Sequence, residues 1–179
     1  MATAMNTLFV GLLGESQFAM LPPRVQALHR TVGTRDYRGQ ARVVRGRNVL
    51  ARLCGVITSQ PPAAQEVALC VEIATTAQGE CWTRDFAGHR MRSTMWACDG
   101  LLCERLGLVT FGFALMIQDA ALVWRVRRVS VLGLRLPPGW FDGVHARESE
   151  VDGRYHFDVV ARLPLVGLLV HYRGWLNVE

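Results

Sequence analysis

Two carboxylates and one guanidinium sit among large apolar residues in this chain, at spacings that would carry them to the inside of a folded sheet. Glu104 lies between Leu102 and Leu106, Arg84 between Trp82 and Phe86, and Glu148 two residues after Ala146. A carboxylate taken out of water costs several kcal/mol unless it meets a cation or gives up its charge, so Glu104 and Glu148 each call for an arginine. The set admits two chemistries. Arg84 can anchor a carboxylate or enolate on a mainly apolar ligand. Alternatively, Glu148 or Glu104 can serve as general acid or base in a cyclisation or isomerisation, with Arg84 steadying developing negative charge. In that second case one carboxylate should be paired and the other free, because an arginine partner cancels the upward pKa shift that burial causes.

These side chains face one way only if the turns between strands fix the register. Taking Gly88-His89 as a two-residue turn pairs Asp85 with Arg92, Phe86 with Met91 and Arg84 with Ser93. Asp99-Gly100 pairs Ala97 with Leu102 and Met95 with Glu104. Asp152-Gly153 pairs Glu150 with Tyr155, Glu148 with Phe157 and Ala146 with Val159. A turn at Gln118-Asp119 sets Phe111, Phe113 and Leu115 beside Val126, Trp124 and Leu122, and the same face runs on to Arg128, a second inward cation. The candidate lining of an interior site is therefore Trp82, Arg84, Ser93, Phe111, Phe113, Trp124, Arg128, Phe157 and Tyr172, with Glu104 and Glu148 as candidate catalytic groups.

Other constellations are weaker. Ser149, His156 and Asp158 match a hydrolase triad by type, but the register puts them on a polar outer face, without the strand-to-helix elbow that presents a nucleophilic serine. The five histidines lack HxH or HExxH spacing, and no metal site is expected. All twenty basic residues are arginine, which removes Schiff-base chemistry and a P-loop lysine. No GxGxxG follows a strand, so no dinucleotide or other cofactor is expected.

The elements that must position the site read as a strand-rich chain. Residues 7–13 and 22–30 suit two short helices, the second opened by Pro22-Pro23 and carrying Val25, Leu28 and His29 on one face; they should cover a mouth or flank of the sheet. Residues 31–36 read as a linker, 39–45 as a first strand and about 47–57 as a helix stopped by Pro61-Pro62. Strands follow at 67–76, 79–87, 90–98, 101–107, 109–117, 120–132, 143–151, 154–163 and 166–176. The expected fold is mainly β: an antiparallel up-and-down barrel or half-barrel, calycin-like, with a helix-grip fold as the alternative. One domain should span residues 1–179, with a helical segment at 1–30 and a β-rich core at 37–176.

Half of the 179 residues are hydrophobic and a fifth are charged, enough for one packed core. The net charge of +5 comes from arginines scattered along the strands, which argues against nucleic acid as a partner. The uncharged stretch at residues 106–117 is shorter than the ~18 residues that cross a bilayer, and no secretory signal opens the chain, so a cytoplasmic protein without a membrane span is expected. The five cysteines form no CxxC pair and read as buried thiols.

In order and spacing, several segments resemble the bacterial family named domain of unknown function 4166. They are Leu21-Pro22 with Leu28-His29, Trp82-x-Arg84-x-Phe86 before Gly88, Glu104-Arg105-x-Gly107, Ala146-x-Glu148, Phe157-Asp158-Val159, Pro164-Leu165-x-Gly167 and Tyr172-Arg173-Gly174-Trp175. Met91 and Leu106 stand where the family favours aromatics. The resemblance implies a domain often joined to oxidoreductase-like domains, hence a partner of that kind and a role in handling or presenting a small molecule.

Overall fold

The computed structural model describes residues 7–47, 49, 58, 60–164 and 166–179. Its strands are β1 (Thr34–Arg45), β2 (Ala64–Thr76), β3 (Gly79–Phe86), β4 (His89–Cys98), β5 (Leu101–Leu106), β6 (Val109–Gln118), β7 (Ala121–Val131), β8 (Leu134–Leu136), β9 (Gly143–Val151), β10 (Arg154–Leu163) and β11 (Gly167–Asn177). All neighbours are antiparallel. In sequence order, every strand except β8 pairs with the next, and β1 pairs with β11, so ten of them close into an up-and-down barrel. β8 lies outside the ring, hydrogen-bonded to β7 alone among the described strands. The helix-grip alternative is thereby excluded, since β1 and β11 close the ring and none of the described helices fills it as a long central helix.

Turn chemistry decides the faces. Asp99-Gly100 and Asp152-Gly153 have positive φ at both positions, the type I′ geometry that matches strand twist, and they give the expected pairs Met95↔Glu104 and Glu148↔Phe157. Two hairpins differ from expectation. β3 and β4 turn through Ala87-Gly88 (φ 49° and 98°), pairing Arg84 with Met91 and Asp85 with Arg90. The Asp85 carboxylate fixes this choice by accepting the Gly88 N–H at 2.6 Å and an Arg90 N–H at 3.2 Å. β6 and β7 turn through Asp119-Ala120 instead of Gln118-Asp119, so Leu115 faces Trp124 and Ile117 faces Leu122. Each change slides the partner by two residues, and a slip of two leaves inward residues inward.

The N-terminal segment folds as α1 (Leu8–Leu13), α2 (Glu15–Phe18) and α3 (Pro23–His29), and closes the barrel end that carries the β9–β10 turn. Phe9, Phe18, Val25 and Leu28 are buried there. No described helix is long and apolar enough to cross a membrane. The expected linker shortens, because residues 34–36 already belong to β1, paired with Ala74 to Glu72 of β2. Apart from residues 47 and 49, the helix expected at about 47–57 lies outside the described residues, as does Cys54. The free thiols Cys70, Cys81, Cys98 and Cys103 all sit at outward strand positions, and of them only Cys103, beneath the Arg128 guanidinium, is buried.

The ring closes where β1 meets β11 through two inward glycines. A Cβ built at Gly39 would overlap the Trp175 carbonyl oxygen, and one at Gly174 would overlap that of Gln40 and lie 2.9 Å from both Ala41 Cα and the Phe157 ring. The sheet coils tightly there because nothing projects from either position.

Candidate functional site

Inside the barrel, every buried carboxylate has a partner. Arg84 donates from Nη1 to Ser93 Oγ at 2.9 Å and from Nη2 to Glu104 Oε1 at 3.3 Å, and its guanidinium lies 5.0 Å from the centroid of the Trp82 ring. β3, β4 and β5 thus each contribute an inward polar group at one level.

Glu148 was expected to meet an arginine and meets His29 instead, Nε2 to Oε2 at 2.5 Å. The histidine arrives from α3, beyond the reach of any strand-register argument. Its ring packs against Phe9, with centroids 3.7 Å apart, and lies 5.9 Å from Trp82. α3 is held in place by Arg24, whose backbone N–H reaches Glu150 Oε2 at 2.9 Å and whose side chain donates to the carbonyls of Gly153 and Val178. The expectation of one paired and one free carboxylate therefore fails.

Arg128 is not an interior cation. A β-bulge opposite Gly112-Phe113 inserts a residue into β7 between Val126 and Val129, so Arg128 turns outward to Asp99 Oδ2 at 2.8 Å and the Cys98 carbonyl. Phe111 is half-buried, stacked on Phe113 and edge-on to Phe141 of the short 3-10 turn Pro138–Phe141, away from the cavity. Ser93 is buried but committed to Arg84. On the outer face, Ser149 does lie opposite His156, while the Asp158 carboxylate meets His171 at 3.0 Å, so no triad assembles.

A cavity of about 70 Å³ remains in the interior; its wall includes Arg84, Glu104, Trp124, Glu148, Phe157 and Tyr172, with Trp82 and Phe113 nearby on the same wall. Trp124 is 4% exposed, yet its indole Nε1 has no acceptor among the described residues. His145, an outward residue by alternation, also lines the cavity, because β9 runs past its last pair with β7 at that position. Burial and then Arg125 lower its pKa.

Burial governs the remaining ionisations. It would lower the Arg84 pKa, but Glu104 and the nearby tyrosines outweigh it and the net shift is upward. Tyr172 is pushed up to about 12, by burial first, and Tyr155 well above its usual value, by burial and then Glu148. Both phenols are therefore neutral donors at pH 7. Glu80, Tyr155 and His29 are interior groups that the strand pattern did not single out; Glu80 could have been found from its place two residues before Trp82, on the same face.

Glu80 accepts the Trp82 indole N–H at 2.8 Å, and burial raises its pKa despite that bond and the charge of His29, with Glu148 adding to the rise. A carboxyl whose folded pKa is raised contributes stability below the ordinary carboxylate range and loses it as pH rises through the folded value. Glu80→Gln keeps the acceptor and removes the charge. Melts across pH should show a higher Tm than the parent at pH 7 and no difference near pH ~3, below the ordinary carboxylate range. A lower Tm at pH 7 would show that the ionised group supports the fold.

A family model described as Domain of unknown function (DUF4166) matches residues 21–176. The chain belongs to this family. The match covers α3 and the whole ring, and so includes Arg84, Glu104, Glu148 and His29 in the DUF4166 domain. No curated protein matches the chain. Among solved structures, the crystal structure of Rv2717c from M. tuberculosis is similar at 12% identity and a TM-score of 0.42, covering 89% of this chain and 99% of that one.

Proposed function

We propose that this DUF4166 barrel binds a small, mainly apolar molecule in its interior, with an acceptor oxygen such as a carboxylate or enolate directed at Trp124. The observation that carries the reading is the Trp124 Nε1 donor, buried without a partner on a cavity wall that also holds Arg84 and the neutral Tyr172 hydroxyl. A buried donor left unpaired costs about 1–3 kcal/mol, which an incoming oxygen relieves. The cavity of about 70 Å³ holds a small head group or a few waters. It is well below the ~300–1000 Å³ of drug-sized sites, so an apolar body must displace side chains as it enters. The place to do so is beside Val144, just past His145, where β9 makes its last pair with β7.

Titration with straight-chain carboxylates of increasing length, and with the matching alcohols, tests this by tryptophan fluorescence and native mass spectrometry. Saturable binding of acids, weakened about tenfold or more in Trp124→Phe, is the expected result. No saturable binding of any chain length, or equal binding by Trp124→Phe, would overturn it.

A catalytic reading is favoured by the His29–Glu148 pair, a buried hydrogen-bonded couple beside Tyr155. It makes Glu148 the acid–base group and leaves Glu104 to hold Arg84. If Glu148→Gln leaves turnover of a substrate unchanged, that role for Glu148 is removed.

A further inference from the structure

The barrel end opposite the helices presents large apolar side chains to water. Leu132 and Leu134 are each 74% exposed, Trp140 57% and Leu108 50%. They occupy neighbouring loops. The Leu132 N–H donates to the Leu108 carbonyl at 3.1 Å, joining the β5–β6 and β7–β8 turns, and Leu134 pairs with Val131 directly behind the second turn. Trp140 sits in the 3-10 turn that crosses from β8 to β9 at the same end, anchored by Phe141 against Phe111. Folding gives these residues nothing to cover. They crown projecting turns, where a protein partner would need a matching concavity but a fluid surface would not.

Positive charge predominates around them. Residues 120–141 contain Arg125, Arg127, Arg128 and Arg135 and no aspartate or glutamate. Exposed Arg105, on β5, leads to the same tips; Asp142, at the end of the crossing segment, is an acid beside them, while Asp99, which pairs with Arg128, lies in the β4–β5 turn at the helix-covered end. Aliphatic tips with a tryptophan, ringed by arginines, match the interface of an anionic bilayer: the side chains enter the headgroup boundary and the guanidiniums meet phosphates.

We propose that this end of the barrel docks on anionic lipid surfaces through Leu108, Leu132, Leu134 and Trp140, with Arg105, Arg127 and Arg135 supplying the electrostatic attraction. The molecule lies on the membrane and does not cross it. The proposal stands independently of the interior ligand. If both hold, the docked end is the one nearest Val144 and His145, so an apolar molecule could pass between bilayer and barrel without crossing water.

Co-sedimentation of the full chain with phosphatidylcholine vesicles, and with vesicles containing phosphatidylglycerol, tests it. Binding should require the anionic lipid and weaken as salt rises. Arg127→Gln and Arg135→Gln should each lower vesicle affinity about fivefold, the equivalent of ~1 kcal/mol per basic residue near a charged surface. The exposed pair Leu132→Ser and Leu134→Ser should abolish binding while leaving the circular dichroism and melt of the free protein unchanged. No binding to phosphatidylglycerol vesicles, equal binding to neutral ones, or Leu132- and Leu134-dependent self-association in sedimentation velocity without lipid would each overturn the proposal, the last in favour of a second copy as the occupant.

Discussion

Arg84→Met is expected to cost about 3–5 kcal/mol of folding stability, and a second change, Glu104→Gln, to return most of it. The single variant leaves Glu104, 6% exposed, without its cation and Ser93 Oγ without its donor. The double variant leaves two neutral groups of similar volume in the same place. Urea unfolding of the four proteins of the cycle gives the coupling energy directly. A loss below about 1 kcal/mol in Arg84→Met would mean that the pair does little for the fold, and would return Arg84 to the role of a ligand anchor. Met rather than Ala keeps the packing over Trp82, so the measured loss reports charge and hydrogen bonding and not a cavity.

Gly174→Ala is expected to be nearly as damaging, by about 3 kcal/mol. The added methyl meets the Gln40 carbonyl and Ala41 Cα, which are backbone and cannot rotate away, as well as the Phe157 ring. Relief requires β1 and β11 to part. Hydrogen exchange should therefore quicken along Arg38↔Asn177 to Arg45↔Val170 before it changes in the β4–β5 hairpin. Uniform exchange with an unaltered melt would show that the strands separate at no cost. Gly11 is the control, since a Cβ there meets nothing within 4 Å.

How much of this the sequence carried can be read from particular residues. The strand series and the inward set Trp82, Arg84, Glu104, Trp124, Glu148, Phe157 and Tyr172 followed from alternation, which survived two misplaced turns because both errors were of two residues. Arg128 did not survive, because a bulge shifts the count by one and leaves no mark in a pattern of alternating types. β8 was passed over because three residues are too few to alternate. His29 was recognised as part of an apolar helix face, but its partner lies 119 residues further on, a distance across which no local rule operates. The closing contact of Gly39 and Gly174 was invisible for the same reason.

That separation bears on the order of events during folding. α1 to α3 are synthesised before every strand, yet what receives them is made last: Arg24 waits for Glu150, Gly153 and Val178, and His29 for Glu148. Helices this short do not persist alone in water. Until β9 to β11 exist the ring is open: Phe9 can meet only the β4–β7 side of its pocket, and α3 lacks the strands that hold it. Loop-closure entropy over such spans makes the late steps slow, so the ring must assemble around an open end. The plug is therefore expected to be the finishing step of folding and not its nucleus, with His29 meeting Glu148 only after β9 is in place.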